Sequence, residues 1–254
     1  MRQGPLRWIA LAVVALVVPL ELLAAEVRVA VAANFSAPMK VIAQNFERET
    51  GHKVTLAFGS TGQFYAQIHH GAPFAILLSA DDETPLKLEK EARAVAGSRF
   101  TYATGRLVLW SKKPGQVDAH GEVLRRGSFT KIAIANPKLS PYGAAAMDTL
   151  EKMGLRERIA PQIVEGANIT QTFQFVSSEN AQLGFVALSQ VYENGKIKEG
   201  SAWVVPSSLH APIQQDAVLL KPGQGNAAAA ALLKYLQSDQ AKAVIRSFGY
   251  TLEH

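Results

Sequence analysis

The chain has 254 residues, 48% of them apolar, no cysteine, and 26 basic against 21 acidic side chains for a formal charge of +5. Without cysteine there is neither a disulfide framework nor a thiol-linked lipid anchor, so the fold must rest on a buried core, for which the length suffices as one large domain or two lobes. The basic surplus is small, and its densest pairs, Lys112-Lys113 and Arg125-Arg126, carry no interleaved aromatic residues. They read as solvated faces, and no nucleic-acid partner is expected.

Residues 1–25 have the form of a secretory leader. Arg2 and Arg7 give a positive start, Trp8 to Leu20 are nearly all apolar, and Leu23-Ala24-Ala25 offers a cleavage site, so the mature chain is expected to start near Glu26. An uncleaved membrane anchor is the competing reading, but Pro19 and Glu21 interrupt a run already shorter than the roughly 20 residues a spanning helix needs. Losing Arg2, Arg7 and Glu21 with the leader takes the formal charge from +5 to +4. No later segment is apolar for long enough to cross a bilayer, and the exported product is expected to be soluble.

After the leader, Val27, Val29 and Val31 alternate in a β-rich run that ends at Ala32-Ala33-Asn34-Phe35-Ser36. Met39, Ile42, Ala43 and Phe46 then recur at helical spacing, with Ser36 placed to cap, Pro38 in the first turn and Gly51 past the end. A second strand, Val54 to Phe58, stops at Gly59-Ser60-Thr61-Gly62, and a helix follows from Gln63 to near Gly71. A buried strand is expected over Phe74 to Leu78, then the turn Ser79-Ala80-Asp81-Asp82. Its acids read as N-cap and first-turn charges for a helix over Thr84 to Ala92 rather than as a metal pair. Arg106 to Ser111 is a compact strand and a candidate crossing into a second lobe.

A third unit runs from the strand Lys131 to Ala135, through the turn Asn136 to Gly143, into a helix over Ala144 to Met153 that Gly154 stops. The fourth has the strand Gln162 to Glu165, the turn Gly166-Ala167-Asn168 with Asn168 suited to the N-cap, and a helix from Ile169 or Thr170. Leu183 to Leu188 is another buried strand and Asn194-Gly195 a turn. Ala202 to Pro206 leads to a return strand over Pro212 to Leu220, and helices over Asn226 to Gln237 and Asp239 to Phe248 close the chain. Strands alternating with helices at this spacing indicate an α/β fold with largely parallel sheets.

The repeated feature is a strand-to-helix turn rich in Asn, Ser, Thr or Gly. Such a turn sets hydroxyls beside the unpaired N–H groups of a helix N-terminus, where the helix dipole favours an anion. In open α/β sheets ligands bind beyond the carboxyl ends of the strands, so four such turns from two lobes can converge on one cleft. The donors are neutral: the side chains of Asn34, Ser60, Thr61 and Tyr142, with backbone N–H groups near Ser36, Thr61, Gly143 and Ile169. A fully ionised tetrahedral dianion needs donors only. Four caps serving four ordinary helices would look the same in sequence.

Other chemistries fit less well. Gly59-Ser60-Thr61-Gly62 is neither a Gly-x-Ser-x-Gly nucleophile elbow nor a phosphate-binding loop, which would need a following Gly-Lys-Ser/Thr. No catalytic residue is therefore expected. His69 and His70 are adjacent on a helix rather than on one face, which argues against a zinc pair. A ferric site would want several tyrosines and carboxylates, and the turns hold only Tyr142. A binder of protonated phosphate should offer a carboxylate acceptor, for which Glu165 is the one nearby candidate and reads as a solvent-facing strand end.

The segments Ala32-Ala33-Asn34-Phe35, Gly59-Ser60-Thr61-Gly62, Gly71-Ala72-Pro73 followed by Ser79-Ala80-Asp81, Asn136-Pro137 with Pro141-Tyr142-Gly143, and Leu183-Gly184-Phe185-Val186-Ala187 occur in the order found in periplasmic molybdate-binding proteins of ABC transporters. The chain resembles that family from about Glu26 to Leu252. The resemblance implies a type II-like, two-lobed periplasmic binding protein of mixed, mostly parallel sheets flanked by helices, with the ligand cleft between the lobes. It implies a periplasmic monomer that captures molybdate or tungstate and delivers it to a membrane ABC permease, with no cofactor besides the bound oxyanion. Sulfate or phosphate is the alternative ligand. The lobes are expected over 26–103 with 206–254 and over 104–205. The family's ligand positions fall on Asn34, on Thr61 with Ser60 beside it, on Tyr142, and on the backbone N–H of Ile169. These hold molybdenum through its oxygens, with no direct metal ligand. Some members carry a tyrosine where this chain has Ala187, and Tyr142 is then expected to supply the phenol.

Overall fold

The computed structural model of the chain describes residues 24–193 and 195–252. The expected leader therefore lies almost wholly outside the described residues, as does Asn194 of the expected turn. The strands are β1 (Glu26–Ala32), β2 (Lys53–Gly59), β3 (Ile76–Leu78), β4 (Phe100–Gly105), β5 (Leu107–Ser111), β6 (Ile132–Ala135), β7 (Ile163–Gly166), β8 (Leu183–Ala187), β9 (Tyr192–Glu193), β10 (Lys196–Ile197), β11 (Ser201–Val204) and β12 (Ile213–Leu219). The helices are α1 (Ser36–Thr50), α2 (Thr61–His69), α3 (Glu83–Lys90), α4 (Val123–Arg126), α5 (Pro141–Lys152), α6 (Arg156–Ile159), α7 (Ile169–Ser177), α8 (Leu188–Val191), α9 (Ala227–Leu236) and α10 (Asp239–Ser247). Among the described residues no helix is long and apolar enough to cross a membrane.

Two five-stranded sheets result, one in the order β2-β1-β3-β12-β4 and the other β11-β5-β8-β6-β7. Strands that leave through a helix pair in parallel, β1 with β2 and β3, and β6 with β7 and β8. Strands that carry the chain from one sheet to the other pair antiparallel: β12 with β3 and β4, β5 with β8 and β11. Parallel pairing is thus confined to the strand-turn-helix units, since only these have the crossover it needs.

The chain passes between the sheets at Arg106, the residue between β4 and β5, and again through 205–212. Thr104 stays with the first sheet rather than starting the second, because its N–H and C=O bond Thr251 at 2.8 and 3.1 Å.

The central strands of both sheets are buried on both faces. In β1, Val27, Val29 and Val31 face Met39, Ile42 and Phe46 of α1 and Leu232, Leu236 and Ile245 of the last two helices, while Ala30 faces Phe64, Ile68 and Leu88 on the other side. Each such fully buried Val, Leu, Ile or Phe contributes about 1.5–3 kcal/mol. The second sheet has Val108, Val186 and Val176 on one face and Leu109, Ile134, Phe185 and Leu150 on the other. That last cluster also takes in Ala32, Ala33 and Ala80 from the strand ends of the first sheet, so the two lobes are in contact.

Candidate functional site

The four strand-to-helix turns end in four different ways. After β1, residues Ala33–Phe35 form one 3-10 turn that runs directly into α1, so Ser36 is the first α-helical residue and not the expected cap. No side chain caps either the 3-10 turn or α1, and the Ser36 N–H donates to the Ala33 carbonyl, so the helical N–H groups left uncapped are those at the start of the 3-10 turn. At α2, Ser60 is a full capping box: its Oγ accepts from Gln63 N–H at 3.3 Å and its own N–H donates to Gln63 Oε1 at 3.0 Å.

At the third turn the helix begins at Pro141 instead of Ala144, because proline suits the first helical position, and Tyr142 and Gly143 fall in its first turn. At the fourth, Asn168 Oδ1 accepts from the N–H groups of Thr170 and Gln171 at 3.0 and 3.1 Å, as a cap should. The Ile169 N–H between cap and capped groups has no part in that arrangement.

None of Asn34, Ser60, Thr61, Tyr142 and Ile169 is more than 4% exposed. Three of them join one buried hydrogen-bond network centred on Gln215. Asn34 Nδ2 donates to Gln215 Oε1 at 2.8 Å and to Tyr250 Oη at 3.1 Å, and Gln215 Nε2 donates to Tyr142 Oη at 3.2 Å. Tyr102 Oη approaches both Gln215 Oε1 and the Ser79 carbonyl at 2.9 Å, sharing one proton between them. Thr61 Oγ1 lies 3.3 Å from Ser79 Oγ and accepts from Ala80 N–H at 3.0 Å.

Ile169 is outside this network, but the first turn of α7 packs against Ala33–Phe35 and its carbonyl accepts from Gln190 Nε2 at 3.1 Å. Ser60, whose Oγ and N–H both bond Gln63, is outside it as well. Ala187 is fully buried and donates its N–H to Gln190 Oε1.

Gly105 makes room for this arrangement. A Cβ there would sit 2.1 Å from Tyr142 Oη and 2.5 Å from Gln215 Nε2, so the glycine is needed for close approach rather than for its backbone angles. The lobes also touch at Gly62, whose N–H donates to Leu139 C=O at 3.0 Å. A cleft of about 300 Å³ opens beside that contact, with Thr61, Ala80 and Asp81 on one wall and Ser140, Pro141 and Ala145 on the other. Of the five candidate residues only Thr61 lines it.

Burial fixes the charge state of the phenols. Tyr102 and Tyr142 are held well above the usual tyrosine range by desolvation, and Tyr250 is pushed up to about 12 by the same cause, partly offset by bonds from Ser189 and Asn34. All three are neutral hydroxyls at physiological pH. Burial also raises Asp81, while hydrogen bonds from Thr84 and Ser79 hold it back.

Asp81 does cap α3, accepting from Thr84 N–H at 2.9 Å, yet it also accepts from Ser79 Oγ at 3.0 Å and so ties the helix to the network. Glu165 is exposed, as are His69 and His70. Among the described residues no group of three or more His, Asp or Glu side chains could hold a metal ion.

Gln215, Tyr102, Tyr250, Ser79 and Ser189 were not singled out by the sequence. One signal for Gln215 was available: Gln214-Gln215-Asp216 stands in a strand otherwise apolar, and polar side chains at buried strand positions need partners.

Two α/β lobes joined by two crossings, with strand-to-helix turns from both meeting at a buried cluster of neutral hydroxyls and amides, define a two-lobed solute-binding protein. The chain belongs to the bacterial extracellular solute-binding protein family, whose profile matches residues 27–251. It is 60% identical over 230 residues to the molybdate-binding protein ModA of Azotobacter vinelandii, covering 91% of each chain. It is 51% identical over 230 residues to the molybdate-binding protein ModA of Rhodobacter capsulatus, covering 91% of this chain and 90% of that one. The solved Azotobacter vinelandii periplasmic molybdate-binding protein superposes with a TM-score of 0.87 at 40% identity, over 90% of this chain and all 100% of the other. These relatives are binding proteins and not enzymes, which agrees with a site that pairs no nucleophile with a base.

Proposed function

We propose that the chain is an exported binding protein that closes its two lobes on molybdate or tungstate and delivers the ion to a membrane ABC permease. The observation that carries this reading is the shared buried network of Asn34, Thr61 and Tyr142, joined with the names of the relatives that are 60% and 51% identical. The Thr61 and Tyr142 hydroxyls, the Ile169 N–H and the uncapped N–H groups of the Asn34 turn donate to the oxyanion. Each charge-assisted bond contributes about 1.5–3 kcal/mol. Asn34 acts through its backbone, since its amide is bound to Gln215 and Tyr250. Ser60 supports the site from outside by holding the start of α2.

The carboxylate nearest to Thr61 through hydrogen bonds is Asp81, and its oxygens are engaged by Ser79 and Thr84. The lobes divide at about Arg106 and within 205–212, these crossings act as the hinge, and the protein works in the periplasm as a monomer with no cofactor.

A thermal-shift panel of molybdate, tungstate, sulfate, phosphate and zinc on the chain from Glu26 tests this. A ligand that binds only the folded form adds about 4 kcal/mol at a thousandfold excess over Kd, roughly 8 to 16 °C for a chain of this size. That shift is expected for molybdate and tungstate and little for the others. A large sulfate or phosphate shift with none for molybdate overturns the ligand, and a response to zinc alone overturns the site as well.

A further inference from the structure

Gln215 is completely buried on β12. It meets the other polar groups because β4 bulges opposite it: Gln215 pairs with Ala103 and Asp216 with Thr101, which leaves Tyr102 without a ladder partner. Bulges re-aim side chains in this way, and Tyr102 turns its hydroxyl onto the Gln215 amide. On the neighbouring position Asp216 takes the opposite face, where Arg99 and Thr101 engage it. One strand thus separates a charged pair from a neutral network.

The directions of the hydrogen bonds around Gln215 follow from one fixed point, the backbone carbonyl of Asn34, which can only accept. Tyr250 Oη lies 2.7 Å from that oxygen, and two oxygens so close need a proton between them, so Tyr250 donates. Ser189 Oγ, at 2.8 Å, donates to the same carbonyl. With its proton spent, Tyr250 can only accept from the Asn34 side chain at 3.1 Å, which sets Nδ2 on that side. The Gln215 atom 2.8 Å from Nδ2 must then be the amide oxygen, and the amide nitrogen faces Tyr142. Tyr142 accepts from it, so its own phenolic proton is turned away from Gln215 and towards the Tyr250 oxygen, from which a bound ion can draw it.

We propose that Gln215 is the positioning residue that sets the polarity of the site: by donating to Tyr142 it occupies the phenolic oxygen and keeps the phenolic proton for the bound ion. The same bond competes with any proton on the ion for the Tyr142 oxygen, so the site favours fully ionised oxyanions over ions that carry a proton. This rests on the oxyanion-binding function proposed above.

The experiment is calorimetry with molybdate on the exported chain at about pH 6 and about pH 8, comparing wild type with Gln215→Glu, Gln215→Met and Tyr142→Phe. Glutamate offers acceptors on both sides and, when ionised, takes the Tyr142 proton and repels the ion. Burial among phenols pushes such a carboxyl up, so its charge changes across this range. Wild type is expected to bind equally at both pH values, and Gln215→Glu to bind at least about tenfold more weakly at the higher pH with recovery at the lower.

Gln215→Met, which removes the polarity without adding charge, is expected to lose about tenfold at both, and adding Tyr142→Phe to it to cost far less than Tyr142→Phe alone, because the two act through one group. Melting of the ligand-free variants reports folding, and the methionine cycle stands if the glutamate variant does not fold. Wild type that binds no oxyanion overturns the function. Wild type that binds, with a Gln215→Glu affinity independent of pH or with additive losses in the methionine cycle, overturns this inference and leaves the function standing.

Discussion

The two lobes bring different equipment to the buried network. The first supplies the Asn34 and Gln215 amides, the Thr61 and Ser79 hydroxyls and the Tyr102 and Tyr250 phenols, which bond mostly to one another. From the second come one phenol, Tyr142, one hydroxyl, Ser189, and the first turn of α7, and both of its hydroxyls find their partners across the gap, on Gln215 and on the Asn34 carbonyl. One half of the site is therefore assembled within a single core, while the other half is satisfied only when the lobes touch. The first lobe is preorganised, and the second acts as its cover.

The largest effect that separates the halves is alkaline. Tyr102, Tyr142 and Tyr250 all have raised folded-state values against an ordinary 10.0. A raised value means that the folded state holds its proton where the unfolded chain releases it, so the stability is fully present below about pH 10 and is lost as pH rises through the folded value. For Tyr250, at about 12, this amounts to roughly 2 to 3 kcal/mol. Denaturant melts of the ligand-free protein are expected to hold steady to near pH 10 and then fall steeply. Tyr250→Phe should flatten that fall in the open and closed protein alike, because its ring is packed in the first lobe against Phe35. If Tyr142 belongs to the cover, Tyr142→Phe should flatten it more with molybdate present than without. Equal flattening in both conditions would mean that Tyr142 is buried however the lobes stand.

Next in size is Thr61→Ala. Its hydroxyl is the acceptor for the buried Ala80 N–H, so removing it leaves that group unpaired and costs about 1–3 kcal/mol of stability, besides a loss of about 1–3 kcal/mol in oxyanion binding. Thr61→Ser should restore both. Calorimetry and melting on the same samples separate the two losses, and a stability loss with unchanged affinity would return Thr61 to a purely structural role in the first lobe.

How much of this was legible in the sequence depended on how far apart the partners lie. The four strand-to-helix turns could be read because their signals are local: Asn168 caps groups two and three residues on, and Pro141 and Gly51 mark a helix start and end. Ser36 was misread as a cap for the same reason, since nothing nearby shows that a 3-10 turn fills the position before it. Asn34, Thr61 and Tyr142 were found through a resemblance that also carries their order along the chain. Gln215 and Tyr250 could not be found from spacing, because they meet Asn34 across 181 and 216 residues. Nor could the β4 bulge that aims Tyr102, which exists only once β12 has returned beside it.

The smallest expected effect is the most discriminating within the first lobe. Ser60 and Thr61 are neighbours in one turn, both at most 4% exposed, and a sequence gives no reason to treat them differently. Their accounts differ. Ser60 Oγ accepts from Gln63 N–H and Ser60 N–H donates to the Gln63 side chain, which holds Ser60 against its own helix, and Ser60 does not line the cleft that Thr61 lines. Thr61 Oγ1 accepts one bond and holds its proton against Ser79, from which an anion can draw it. Ser60→Ala is then expected to cost about 1 kcal/mol of stability, the usual value of a lost cap, and to leave molybdate affinity within about twofold of wild type. Ser60→Asp, which can still cap and favours the helix dipole, should recover the stability while its added charge beside the site weakens molybdate binding. A Ser60→Ala variant that loses affinity as Thr61→Ala does would place both hydroxyls on the ligand and make the capping box a feature of the empty site alone.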